Sequence, residues 1–224
     1  MKKLFGILVA VLLFASTLPI GNADGGDKGI VKCYVISAGK IVKREAELTK
    51  EEALELIEKI WDAVYIYKPY KDRENMELTP EEKSEIESIF NDLFSEMKKL
   101  GLLPENEVSV QSLGLLPDFG ISFLNPILSC GVGKSFIPLY PGEAFIGVML
   151  RPIFVQYLFL GYTGCINARL IPPRLEYWDW VGTQTLMIWG FVGLYIDFAS
   201  IGLGIPPMQV LMGESFFTAG IDWL

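Results

Sequence analysis

The spacing of apolar residues changes period along this chain, and each period predicts an element. Gly29 to Ile36, then Ser37-Ala38-Gly39-Lys40, then Ile41 to Glu45 predict a strand, a glycine turn and a second strand. Leu48-Thr49-Lys50-Glu51-Glu52 follows as a helix start. Thr49 can cap the first turn while Glu52 returns a bond to the Thr49 amide, a capping box. Leu54, Ile57, Trp61 and Val64, with Leu56 and Ile60 alongside, then fall on one helical face. Leu78-Thr79-Pro80-Glu81-Glu82 repeats the start signal with proline at the first helical position. Ile86, Phe90, Leu93, Phe94, Met97 and Leu100 make the second stripe, and Gly101 stops it. Lys98 and Lys99 lie at that helix end, where the macrodipole favours cations.

From Glu105 onwards the period shortens and charge becomes sparse, with Lys134, Arg151, Arg169 and Arg174 as the basic residues. Predicted strands are Phe119 to Leu124, Ser135 to Leu139, Ala144 to Leu150, Ile153 to Tyr162, Cys165 to Leu170, Gly182 to Tyr195 and Met208 to Thr218. Trp180 to Ile196 and Phe198 to Gly213 carry no charge, lengths that raise the question of membrane-spanning helices. Glycines interrupt both runs and Pro206-Pro207 interrupts the second, so short strands fit better. Ala144, Ile146, Val148 and Leu150 form one face while Phe145 and Met149 make the other apolar too. Such strands are covered on both sides, by a second sheet, the helical hairpin or lipid. Gly161-Tyr162-Thr163-Gly164 before Ile171-Pro172-Pro173 is echoed by Gly190-Phe191-Val192-Gly193 before Ile205-Pro206-Pro207. Paired glycines within strands mark bulges and barrel corners, which favours a barrel over a sandwich.

The fold class expected is therefore α+β: a β-hairpin and a helical hairpin, then an apolar, glycine-rich antiparallel β-domain of barrel-like form. The expected segments are residues 1–23, a signal peptide; 24–104, a charged hairpin plus two helices; and 105–224, an apolar β-rich domain. The first segment has two early lysines, an apolar run from Leu4 to Phe14, helix breakers at Ser16, Thr17 and Pro19, and small Gly21 and Ala23 before Asp24. That pattern predicts secretory cleavage after Ala23. The residue before Cys33 is Lys32, which does not fit a lipoprotein site.

Composition narrows the chemistry. The formal net charge is −8, or about −10 without Lys2 and Lys3, and no basic stripe interrupts it. Nucleic acid is not an expected partner; a membrane surface or another envelope protein is. There is no histidine, which excludes Ser-His-Asp and Cys-His catalysis, histidine zinc sites and histidine-ligated haem. No metal site and no cofactor is indicated. Among three cysteines, Cys130 and Cys165 are the pair favoured for a disulfide outside the cytoplasm, with Cys33 left over; three buried thiols are the alternative.

Cys130-Gly131-Val132-Gly133-Lys134-Ser135 ends like a phosphate loop, but Leu128 stands where its first glycine belongs. A glycine turn between strands is the reading that follows. Glu176-Tyr177-Trp178-Asp179-Trp180 gathers two carboxylates and three aromatics. Packing is the first reading of this segment; as an alternative, Glu176 and Asp179 are the candidate carboxylates for acting on a glycosidic bond, one as acid and one as base or nucleophile. Tyr177, Trp178 and Trp180 are candidates for stacking on a sugar or settling at a membrane interface. Arg169 and Arg174 lie nearby as ion-pair partners or an anion site, and Asp197 and Glu214 need a partner or water if buried. The function expected is an exported, envelope-associated binding or structural module. The alternatives are a membrane-inserted β-structure and a secreted carboxylate hydrolase.

Overall fold

The computed structural model describes residues 27–37, 40–74, 78–105, 108–116, 124–138, 151–170 and 173–223, with backbone alone for 168–170 and 173–174. The predicted strand Ala144 to Leu150 lies outside the described residues, as do the 1–23 segment and, save for Leu124, the predicted strand Phe119 to Leu124.

The charged segment folds as its pattern predicts. Strands β1 (Lys28–Ser37) and β2 (Lys40–Thr49) pair in an antiparallel hairpin. Helix α1 (Lys50–Val64) starts on the Thr49 capping box: the Glu52 amide donates to Thr49 Oγ1 at 3.3 Å and the Thr49 amide to Glu52 Oε2 at 2.9 Å. Helix α2 (Pro80–Lys99) repeats the device with Thr79 and Glu82, and ends at Gly101, whose φ of 78° suits glycine. The two apolar stripes turn towards the sheet. Leu56, Ile60, Phe90, Leu93 and Met97 pack with Val31, Cys33, Leu128, Cys130, Tyr162, Ile196, Val210 and Met212 in one core.

The remaining strands are β3 (Asn125–Phe136), β4 (Ile153–Leu170), β5 (Pro173–Trp189), β6 (Val192–Asp197), β7 (Met208–Ser215) and β8 (Phe217–Asp222). They join β1 and β2 in one antiparallel sheet of order β2-β1-β6-β7-β3-β4-β5-β8. The change of composition near Pro104 is therefore no break in the hydrogen bonding, because β1 pairs with β6 from the far side of the chain. The helices cover one face of the sheet. On the other face, Ile127, Ile153, Val155, Tyr157, Cys165, Leu186, Ile188, Phe191 and Leu211 form a second core.

Several expectations need correction. The fold is α+β, but among the described residues the sheet is open and not a barrel: its outermost strands, β2 and β8, do not pair with each other. The glycines bend strands locally without closing the sheet, and β2 carries Lys40, Lys43, Arg44, Glu45 and Glu47, a charged edge that discourages further pairing. Cys130 to Ser135 is not a turn but the interior of β3, with bulges around Val132. Gly131 is required there, since a Cβ would lie 2.6 Å from the Tyr157 ring. Ile153 to Tyr162 and Cys165 to Leu170 are one long strand, β4, which absorbs a bulge between Tyr157 and Gly161 with Leu160 at φ 51°. Gly182 to Tyr195 divides at Gly190, φ 63°, into β5 and β6, while Met208 to Thr218 divides into β7 and β8. Among the described residues no helix is long and apolar enough to cross a membrane, a statement that leaves strands aside.

Candidate functional site

Two polar clusters stand out within this apolar frame, one on each face of the sheet. The first lies where the end of α1 meets β4 and β5. Trp61 and Tyr65 project from the last turns of α1 and stack at 5.3 Å, and the Tyr65 ring is 4.3 Å from Tyr162 on β4. The Tyr162 and Tyr177 hydroxyls share a hydrogen bond across β4 and β5. Lys68, in the short 3-10 turn Lys68–Tyr70, sets its ammonium 4.9 Å from the Tyr65 centroid and 5.8 Å from that of Tyr162. Lys71 donates to Asp179 Oδ1, while the other oxygen, Oδ2, is buried without a protein partner. Asp179 is 2% exposed at its side chain, and the ion pair with Lys71 offsets part of the cost of burying it. Burial pushes the Tyr65 phenol up to about 12 and raises those of Tyr162 and Tyr177 as well. At neutral pH these phenols stay protonated and serve as hydrogen-bond donors and ring surfaces.

The second cluster is a hydroxyl and amide network in the core on the opposite face. Ser129 Oγ lies 2.8 Å from both Tyr157 OH and Thr163 Oγ1. Ser135 Oγ, 2.5 Å from Tyr195 OH, donates to Gln209 Oε1 at 2.9 Å, and Tyr195 OH donates to the same oxygen. Gln209 Nε2 donates to Asp197 Oδ1 at 2.8 Å, and so does the Ala199 amide. Asp197 thus finds the partners that its position in an apolar strand demanded. Gln184, fully buried on the same face and in register with Tyr157, has neither side-chain atom bonded to protein.

The residues singled out from the sequence do not form one site. Glu176 and Asp179 are three apart on β5, so their side chains leave opposite faces of the strand. Asp179 joins the helix-side cluster; Glu176 sits opposite Asn167 in register, on the face that holds Trp178 and Trp180. They do not flank one bond as a hydrolase pair must. Tyr177 belongs with Asp179, whereas Trp178 and Trp180, with centroids 4.8 Å apart, pack against the second core. Arg169 and Arg174 oppose each other in register where β4 ends and β5 begins, with side chains outside the described residues. Among the described residues the ion-pair partner of Asp179 is Lys71, which follows helix α1 in the chain.

The Cys130–Cys165 disulfide is also corrected: all three cysteines are free and buried. Cys165 pairs in register with Ile127, and Cys130 is three residues further along β3, about 10 Å away and on the other face. That exceeds the reach of a disulfide. Burial raises all three thiols, Cys33 and Cys165 to about 12. Among the described residues, no three cysteine or carboxylate side chains gather as a metal site.

Sequence reasoning missed Lys71, Lys68, Tyr157 and Gln209. The available signal was the set of polar residues inside otherwise apolar strands: Ser129, Thr163, Gln184 and Gln209. What the fold and these clusters define is an α+β protein whose described residues build an open eight-stranded antiparallel sheet. No family model, curated protein or solved structure matches the chain.

Proposed function

We propose that this chain is an exported, cell-envelope-associated protein that works by binding or by building structure. The observation that carries this reading is the apolar surface on the helix-side face of the sheet, beyond the reach of the helices. Leu158, Val181, Phe217, Ile221 and Trp223 are each about half exposed there, with Met187, Trp189 and Phe154 between them. Contiguous apolar surface of this kind marks contact with a protein or a membrane. The export-type pattern of residues 1–23 supplies the location. Fractionation of the native host with intact-mass measurement tests it: the expected result is a chain beginning at Asp24, outside the cytoplasm and extractable with carbonate. A full-length cytoplasmic protein would overturn the proposal.

A membrane-inserted β-structure is the second reading, favoured by strands that turn apolar side chains outward over an interior holding polar groups. That the described strands do not close into a barrel counts against it, since lipid cannot satisfy the backbone groups of an open edge. Resistance to carbonate, with strand-rich circular dichroism of the detergent-extracted protein, would decide for insertion.

A further inference from the structure

The helix-side cluster already holds two ammonium groups, both carried by the connection that follows α1. Lys71 donates to Asp179 Oδ1. Lys68 stands over aromatic rings, 4.9 Å from the Tyr65 centroid and 5.8 Å from that of Tyr162. Lys68 is itself an exposed residue, so its ammonium reaches these ring faces from the solvent side. The turn that carries it is fastened by other groups. The Lys68 amide donates to Tyr65 O at 3.0 Å, and the Arg73 guanidinium donates to Glu82 at 3.1 Å while covering the Tyr70 ring. Moving the Lys68 side chain aside therefore gives up an exposed cation–π contact, a factor of about two to five in an equilibrium.

An acceptor in the same cluster is left unused. Asp179 is 2% exposed at its side chain, and its Oδ2 has no protein partner. Tyr65, Tyr162 and Tyr177 stand close to that carboxylate: burial is the main cause of their raised phenols, and the Asp179 charge contributes in all three. Two of these hydroxyls, those of Tyr162 and Tyr177, are bonded to each other. A buried carboxylate oxygen without a donor is a costly omission, and the cluster is short of one N–H.

We propose that this cluster binds a small organic ammonium ion, which displaces Lys68 from the Tyr65 and Tyr162 rings and donates an N–H to Asp179 Oδ2. The ligand class follows from the surroundings. Ring faces and a carboxylate oxygen together select a cation that has hydrogens to give. A neutral hydroxyl would use the oxygen but gain nothing from the ring quadrupoles, and an anion would meet the Asp179 charge. Displacement leaves the local charge unchanged, because one ammonium enters water as another arrives, and Lys71 keeps Oδ1. The net charge of −8 also raises the concentration of cations near the protein. The site deepens the binding role proposed above by adding a small-molecule ligand. It uses none of the residues of the exposed apolar surface and is tested without reference to cellular address, so either proposal can fail without the other.

The probe is butylammonium, which reproduces the Lys68 side chain, with 1-butanol as its neutral counterpart. Saturation-transfer NMR titration of the protein purified from its native host, in about 150 mM sodium chloride to screen diffuse attraction, reads the affinity. The expected dissociation constant is about 1–10 mM. Lys68→Ala, on an exposed turn where it does not endanger the fold, should tighten it about two- to fivefold by vacating the rings. Tyr65→Leu and Asp179→Asn should each weaken it about tenfold or more, with circular dichroism confirming that each variant keeps its fold. No binding to Lys68→Ala at about 50 mM butylammonium overturns the proposal. So does 1-butanol that binds as well as butylammonium, or a dissociation constant that either Lys68→Ala or Tyr65→Leu leaves unchanged.

Discussion

Two glutamines in the same core should respond to the same substitution with opposite signs. Gln184 and Gln209 are both buried on the sheet face away from the helices, 0% and 2% exposed. Gln209 is engaged at both amide atoms: its oxygen accepts from Ser135 and Tyr195, and its nitrogen donates to Asp197. Neither amide atom of Gln184 has a protein partner. Leaving a buried amide without compensation costs about 1–3 kcal/mol. Methionine has nearly the same length and no such requirement. Gln184→Met should therefore stabilise the fold by about 1–2 kcal/mol after a discount for imperfect packing. In a domain of this size that raises Tm by about 2–8 °C. Gln209→Met removes a charge-assisted bond to Asp197 and the shared acceptor of two hydroxyls, a loss of about 2–4 kcal/mol. Urea unfolding followed by tryptophan fluorescence, with the slope checked for constancy, measures both. If Gln184→Met destabilises the protein by more than about 1 kcal/mol, the amide is held by a bound water or ligand, and the reasoning fails.

Other expectations follow from the same contacts. Lys71→Met leaves Asp179 buried at 2% exposure without its ion-pair partner, and should cost on the order of 2 kcal/mol, less than a fully buried pair because Lys71 is itself half exposed. Asp179→Asn in the Lys71→Met background should recover part of that loss; no recovery would show that the charge is not the cause. All three cysteines should resist alkylation in the native protein and react once it is unfolded in urea, with no change in the non-reduced mass. A native mass two hydrogens lighter than the reduced one would contradict the fold. Glu214 lies against the Gly114 backbone, and burial raises its carboxyl above the usual range. A raised folded value means that the native state holds the proton more tightly than the unfolded state. Its contribution therefore favours folding below the unfolded pKa and is lost as pH rises through the folded one. Glu214→Gln should be more stable than the parent at pH 7 and should remove the part of the fall in stability that sets in as pH rises above the unfolded carboxyl value, a comparison made by urea titration at each pH.

The chain alone determined its local elements where local physics decides them. Thr49 with Glu52 and Thr79 with Glu82 announce helix starts because both halves of each capping box lie within one turn. The apolar stripes on α1 and α2 needed only a 3.6-residue count. Sheet membership is a different matter. Whether Cys130–Ser135 is a turn or the middle of a strand depends on β4 and β7, which flank it from distant parts of the chain. The same holds for the long β4, whose glycines read as breaks and act as a bulge that lets Tyr157 lie over Gly131 and reach Ser129.

The candidate chemistry divides along the same line. That Glu176 and Asp179 are near in sequence is visible at once, and their separation onto opposite faces requires only the strand period once β5 is known. Asp179 finding Lys71, 108 positions earlier, and Cys130 lying on the face opposite Cys165 are products of register and layer order alone. Sequence carries the short-range terms, capping, periodicity and the export pattern. Tertiary structure decides which polar groups meet, because each buried charge or amide must take its partner from whatever strand the register brings beside it.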